Sequence, residues 1–154
     1  MFCSRKMNRK INHIHERALR LVYKDYNSSF EELLIKDKSV TIHHRNIQKV
    51  AIEMFKVKNS LCPEFIKSLF VEITTRTRSQ ATFRRPNVNK VYKGEMSLRS
   101  FGPIVWNEMV PEDLKKITDL VDFKENIRAW VPQNCVCRLC KDYIRNVGFV
   151  TLCE

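Results

Sequence analysis

The sequence lacks long apolar runs and has few residues that carry negative charge. Asp and Glu total 17 against 28 Lys and Arg, which gives a formal net charge of +11. Such a basic chain favours an anionic partner, and nucleic acid is the first candidate. Charged residues interrupt every hydrophobic segment well short of the ~18 residues of a membrane span. The sequence therefore predicts RNA or DNA as the partner, with no membrane attachment and no small-molecule substrate.

An export signal is also missing. The first ten residues are basic, but the apolar stretch of a signal peptide does not follow them. We therefore expect an intracellular protein, nuclear or cytoplasmic and not secreted. In those compartments the six cysteines would stay reduced.

The familiar catalytic patterns are absent from the sequence. It contains no Walker A loop, no nucleophile elbow and no His-Glu-x-x-His pattern. A polymerase needs two neighbouring carboxylates to hold its metal ions. The nearest match, Tyr23-Lys24-Asp25-Tyr26, supplies one Asp at the end of a predicted helix. We predict that this chain is not an enzyme and assign no catalytic residue.

Apolar residues recur at helical spacing through most of the chain, and 44% hydrophobic content in 154 residues is enough for a core. The pattern predicts a mainly α fold of about five or six helices in a single compact domain, 1–154. Within it we expect helical regions at 6–70 and 99–131, a short β hairpin or irregular basic insert at 71–98, and a cysteine-rich tail at 132–154. Both tryptophans are expected in the core.

The first predicted helix, 6–24, has an apolar side and a basic side. The apolar side consists of Met7, Ile11, Ile14, Ala18, Leu21 and Val22. Arg17 and Arg20 lie on the basic side, and Lys49 and Lys56 lie opposite the apolar face of the helix predicted at 41–59. Such residues form either a solvated helix face or a second set of phosphate contacts.

Basic residues concentrate most strongly between Thr74 and Arg99, where Glu95 is the only acid. This stretch supplies the first set of predicted phosphate contacts: Arg76, Arg78, Arg84, Arg85, Lys90 and Lys93. Phe83 and Tyr92 either stack on bases or pack the loop itself.

The spacing Cys135-x-Cys137-x-x-Cys140 places three thiolate ligands within six residues. A closed zinc site needs a fourth ligand. Cys153 is the nearest candidate, and His13, His15, His43 and His44 could reach the site only through folding. The alternative is a set of reduced thiols in a short turn, with no cofactor.

Several short motifs appear in a characteristic order along the chain. They are Met1-Phe2-Cys3-Ser4-Arg5-Lys6, then His15-Glu16-Arg17-Ala18-Leu19-Arg20-Leu21-Val22-Tyr23, Gly102-Pro103-Ile104-Val105-Trp106-Asn107, and Cys135-Val136-Cys137-Arg138-Leu139-Cys140. Together they resemble the C-terminal end of a jockey-like non-LTR (LINE-type) retrotransposon reverse transcriptase.

In that family the polymerase palm is followed by a helical thumb and a C-terminal tail. The resemblance implies a region that grips the RNA template, the primer or the DNA target, without the palm, fingers and endonuclease. We therefore expect a truncated fragment of an RNA-directed DNA polymerase that retains non-specific binding to the nucleic-acid backbone. Two alternatives stay open, an inert relic of the element and a zinc-stabilised interaction module.

Overall fold

A computed structural model describes residues 5–73, 82–87 and 97–132 of the chain. This part is mainly α-helical, which confirms the predicted fold class. Its helices are α1 (Arg5–Tyr23), α2 (Phe30–Lys36), α3 (Ile42–Lys58), α4 (Glu64–Lys67), α5 (Leu98–Ile104), a π-helical segment (Val105–Met109), α6 (Glu112–Lys115) and α7 (Leu120–Ala129). Apart from the first residues of α1 and α5, all of them lie within the predicted helical regions 6–70 and 99–131. The part of the chain described includes no helix that is both long and apolar enough to cross a membrane.

Two helices begin at side chains that the sequence marks as caps. The Ser29 hydroxyl accepts a hydrogen bond from the Glu32 N–H, and the Glu32 carboxylate accepts one from the Ser29 N–H, at 3.3 and 2.7 Å. This reciprocal pair is a capping box for α2. At α7 the Asp119 carboxylate accepts from the Val121 and Asp122 N–H groups at 2.6 and 3.0 Å. Both pairs satisfy backbone donors that a helix leaves without partners.

The helix predicted around Trp106 is divided between α5 and the π-helical segment. Pro103 lies near the end of α5 and has no N–H to donate to the preceding turn. Immediately after it the helix widens, and the Val110 N–H bonds to the Val105 carbonyl five residues back, at 2.9 Å. A π-helical turn of this kind often marks a functional position.

Contacts between residues divide the chain into two compact units, 2–46 and 47 onward. Helix α3 contributes its first turn to the N-terminal unit and the rest to the C-terminal unit. In the N-terminal unit the buried cluster consists of Leu19, Leu33 and Leu34, with Tyr23 and Phe30 packed against it. The predicted single domain stays a prediction.

The predicted apolar side of α1 is mostly exposed. Met7, Ile14, Leu21 and Val22 expose 48 to 71% of their surface, while Leu19 is buried at 6%. Leu19 lies where α1 meets α2, so the position of the neighbouring helix, and not the count of apolar residues, selects the buried side.

The C-terminal unit has an aromatic core. Phe55 and Phe123 stack at 4.2 Å between ring centroids, and Trp106 lies 6.1 Å from Phe123. All three side chains are fully buried. Of the two tryptophans expected in the core, Trp106 is confirmed, whereas Trp130 at the end of α7 is half-buried.

Candidate nucleic-acid interface

Residues 82–87, which we call the arginine segment, run antiparallel to residues 71–73. Glu72 and Phe83 form a β-bridge. The Ile73 N–H donates to the Thr82 carbonyl at 2.9 Å, and the Arg84 N–H donates to the Val71 carbonyl at 2.8 Å. These bonds fix the backbone on which Arg84 is carried.

A single side chain anchors the same segment from the other direction. The Asn107 Oδ1 accepts hydrogen bonds from the Thr82 and Phe83 N–H groups at 2.9 and 3.2 Å. Its Nδ2 donates to the Phe83 carbonyl at 2.7 Å. Asn107 belongs to the π-helical segment, so the widened turn after Pro103 brings this amide to the arginine segment.

Phe83 holds the segment against the core. Its side chain is 1% exposed and meets the rings of Phe70 and Trp106 edge-on, at 6.0 and 6.4 Å between centroids. Base stacking by Phe83 is therefore wrong, since no base could reach its ring. Packing within its own loop is not observed either, because the ring contacts Phe70 and Trp106, which lie outside 74–99. In extended backbone successive side chains alternate in direction, and Arg84 is exposed next to the buried Phe83.

A cleft of about 200 Å³ opens beside the arginine segment. We call it the arginine cleft. It is lined by Leu69, Val71, Arg84, Arg85, Pro86, Asn87 and Arg99. The three arginines are exposed, and none of these seven described residues is an acid. A guanidinium is always charged at physiological pH and matches phosphate geometry through paired N–H donors. The arginine cleft is thus suited to a phosphate.

The Gly102-Pro103 part of the sequence motif lies directly behind this surface. A Cβ on Gly102 would lie 2.5 Å from the Met54 Sδ and 3.5 Å from Phe70. Met54 is fully buried. Glycine therefore permits α5 to approach the Met54 side chain of α3 without displacing it.

Two lysines complete the support around Trp106. The Lys58 ammonium lies 5.4 Å from the centre of the Trp106 ring, a cation–π contact, and donates to the Lys115 carbonyl at 3.3 Å. The Lys115 ammonium, 7% exposed, pairs with Glu112 at 2.6 Å. The charge of Lys115 is thus neutralised by a carboxylate within the fold.

The second set of predicted phosphate contacts divides into paired and exposed residues. The Arg20 guanidinium is 2.7 Å from the Glu16 carboxylate, and the Lys56 ammonium is 2.8 Å from Glu53. Arg17 and Lys49 are exposed. Lys49 and Lys56 belong to α3 and do not line the arginine cleft. Arg17 and Arg20 belong to the N-terminal unit.

Several predicted site residues lie outside the described residues. They are Arg76, Arg78, Lys90, Lys93 and Tyr92 of the basic insert, and Cys135, Cys137, Cys140 and Cys153 of the proposed zinc site. In the described ranges no three His, Cys, Asp or Glu residues are placed together as metal ligands.

The histidines considered as further zinc ligands lie in the N-terminal unit. His15 meets the Phe30 ring edge-on at 5.6 Å. Partial burial lowers the pKa of His15 below its usual range, and the positive charge of Arg45 lowers it further. His43 and His44 lie in the first turn of α3, where the His44 N–H donates to the Thr41 hydroxyl at 3.2 Å.

Asp25, the single carboxylate of the Tyr23-Lys24-Asp25-Tyr26 sequence, closes a turn. It accepts from the Ser28 N–H and hydroxyl at 3.1 and 2.8 Å and from the Asn27 N–H at 3.3 Å. The bonds from Ser28, followed by those from Asn27 and Lys36, lower the pKa of Asp25 to about 2. Its oxygens are thus occupied by the loop between α1 and α2.

Two residues of the interface were not predicted as site residues. Arg99 belongs to the same basic stretch as Arg84 but was not among the predicted phosphate contacts, and its place in the cleft follows from the tertiary structure. Asn107 was visible only as a motif residue. An amide inside an otherwise apolar helical pattern is the signal that could have identified it as an anchor.

Comparisons of the chain with protein-family models, with curated proteins and with solved structures find no match in any of the three. Support for a function of the arginine cleft therefore comes from its geometry and its charge.

Proposed function

We propose that this chain derives from the C-terminal, post-palm region of a jockey-like non-LTR retrotransposon reverse transcriptase and that its remaining function is binding of RNA or DNA. The binding is non-catalytic, needs no cofactor, and acts mainly through backbone phosphates. We also propose an intracellular location, nuclear or cytoplasmic, where such ligands are available.

One observation carries the proposal. Arg84 and Arg85 are neighbours in the sequence and Arg99 follows later, but all three line the same cleft. None of the described lining residues is an acid that would neutralise their charge. Contacts from arginine to phosphate position a protein on nucleic acid without reading its sequence. A non-specific grip is therefore the activity that this surface supports best.

The cleft is also held in place before a ligand arrives. Asn107 and the Val71 carbonyl fix the backbone of residues 82–84, and the buried Phe83 ring fixes its orientation. A preorganised site loses less conformational entropy on binding than a flexible basic tail does. The Gly-Pro-x-x-Trp-Asn motif, which carries much of the family resemblance, supplies this support.

The test is a fluorescence titration of the purified protein with single-stranded RNA, single-stranded DNA and duplex DNA, using heparin as a generic polyanion. We expect binding that weakens steeply between about 50 and about 200 mM salt, because phosphate contacts release counterions. Reversing Arg84 and Arg85 to Glu removes two contacts. The slope of log affinity against log salt for single strands should then fall by about 1.4.

The matched control reverses Lys116 and Arg128, which are exposed on the same unit and do not line the cleft. It changes the net charge by the same amount and should lower affinity much less. Equal losses in the two double variants would mean that net charge alone attracts the ligand. Binding no tighter than to heparin would favour an inert relic. Zinc retained by the purified protein and lost on Cys137→Ser would favour the interaction module.

A further inference from the structure

We infer that the arginine cleft takes an unpaired segment of nucleic acid, with a phosphate at the arginines and one nucleoside against an apolar wall. This inference rests on the proposed function and adds the strand state of the ligand. Single-stranded RNA and single-stranded DNA share the required chemistry, which is a charged backbone with accessible bases.

The apolar wall is the first reason. Leu69 and Val71 line the cleft and expose 42 and 59% of their surface, and Pro86 lies beside them. Exposed aliphatic groups gain nothing from a phosphate, but they gain from covering the face of a base. In a duplex those faces are stacked inside the helix, so the wall would stay uncovered.

The size of the cleft is the second reason. At about 200 Å³ it is smaller than pockets for whole drug-like molecules, which begin near roughly 300 Å³. A cleft of this size matches part of one splayed nucleotide better than it matches a base pair. Recognition of single strands commonly uses bases that are turned out of the stack in this way.

The polar groups of the lining are the third reason. Asn87 is an exposed residue of the lining, and its amide offers both donors and an acceptor, the combination that base edges present. Arg85 and Arg99 can contact a phosphate, and a guanidinium plane can also lie on a base. A charge, an amide and an aliphatic surface thus meet within one cleft.

The alternative is a basic surface that holds any polyanion and ignores the bases. A cleft that contacts a base and a surface that contacts only phosphates differ in how their affinity changes when the bases are removed and the phosphates are kept. An abasic strand has the same sugar–phosphate backbone as ordinary DNA, so a surface that reads only phosphates would bind the two equally.

The experiment uses the full chain and fluorescent probes of about 12 nucleotides, a length within the site sizes of single-strand-binding domains. The probes are single-stranded DNA, the same strand without bases, single-stranded RNA, and blunt-ended two-strand duplexes of DNA and of RNA. Covering a few tens of Å² of apolar surface should make both single strands about threefold to tenfold tighter than the abasic strand and the duplexes. The ratio of DNA to RNA affinity then identifies the sugar that the cleft prefers.

The variants Leu69→Ser and Val71→Ser test the wall without removing charge. Both side chains are exposed, so folding should be retained. We expect each to lower affinity for the ordinary strand towards that for the abasic strand and to leave abasic binding unchanged. Val121→Ser, exposed at 61% on α7, is the control and should change neither.

Equal affinity for ordinary and abasic strands, or tighter binding to duplex, would overturn the inference and leave the proposed phosphate grip intact. Failure of every probe to bind would overturn both. The two proposals therefore fail in distinguishable ways.

Discussion

The two units of the chain share the helical spacing of apolar residues but differ in which of these residues are buried. In the N-terminal unit α1 buries Leu19 and leaves Met7, Ile14 and Leu21 exposed. In the C-terminal unit the aromatic residues of α3 and α7 are buried and stacked. Periodicity identifies a helix in both units, but packing decides which side is covered. The arginine cleft belongs to the unit that has the aromatic core.

The comparison extends to the charged residues. In the N-terminal unit Arg20 forms an ion pair with Glu16, and Asp25 accepts a hydrogen bond from Ser28 within a turn. The C-terminal unit brings Arg84, Arg85 and Arg99 together at one cleft. The core beneath that cleft should therefore have the largest effect on stability, and the exposed side of α1 the smallest.

The largest loss is expected from Phe123→Ala. The ring is fully buried and stacks on Phe55, so truncation should lower the free energy of unfolding by about 3 to 5 kcal/mol. Urea unfolding monitored by the fluorescence of the neighbouring Trp106 measures the change. Val121→Ala on the exposed side of the same helix should stay within about 0.5 kcal/mol. Similar losses in the two variants would contradict the described core.

A smaller loss is expected from Gly102→Ala. The added methyl would lie 2.5 Å from the Met54 Sδ, and overpacking of this kind costs about 1 to 3 kcal/mol. Thermal unfolding of the variant measures the cost. Adding Met54→Ala provides room, so the double variant should lose less than the sum of the two single variants. Strict additivity would show that the two residues do not meet.

Asn107→Ala should cost about 1 to 2 kcal/mol, because it removes three hydrogen bonds from the backbone of Thr82 and Phe83. It should also weaken nucleic-acid binding although the net charge is unchanged. Asn107→Asp keeps the acceptor and loses the donor, so an intermediate loss of stability is expected. Unchanged nucleic-acid affinity in Asn107→Ala would show that the hydrogen bonds of Asn107 do not position the arginines of the cleft.

Acid should weaken the N-terminal unit through Asp25. Its pKa in the folded state is about 2, below the unfolded value of about 3.9. The ionised carboxylate therefore stabilises the fold above about pH 4, and this stabilisation is lost as the pH falls towards 2. Circular dichroism over this range should show less acid sensitivity in Asp25→Asn, which keeps an acceptor but cannot titrate. Asp113→Asn, at an exposed position, is the control. Identical acid profiles for the wild type and Asp25→Asn would exclude this role.

The smallest effect is expected from Leu21→Ala. Leu21 is 66% exposed, and alanine has the highest helix propensity, so stability should change by less than about 0.5 kcal/mol. Leu33→Ala in the buried cluster of the same unit should cost about 2 to 5 kcal/mol. A large loss for Leu21→Ala would show that α1 has a covered apolar side after all.

Much of the fold could be predicted from the sequence, because helix propensity, caps and spacing are local. Ser29 and Asp119 are residue types that favour helix N-caps, and the burial of Trp106 was predicted from helical spacing. The buried side of α1 could not be predicted, since it depends on where α2 lies. For the same reason, Arg84 and Arg85 were identified by local charge, whereas Arg99 and the anchor Asn107 required the tertiary structure.

The most direct measurement is a titration of ¹⁵N-labelled protein with unlabelled single-stranded DNA, following the arginine Nε–H signals by NMR. If the cleft binds the backbone, the signals of Arg84, Arg85 and Arg99 shift together and saturate at the same concentration, while Arg128 on α7 stays unchanged. Shifts confined to Arg17, with the three cleft signals unmoved, would contradict the proposal that the arginine cleft is the nucleic-acid interface.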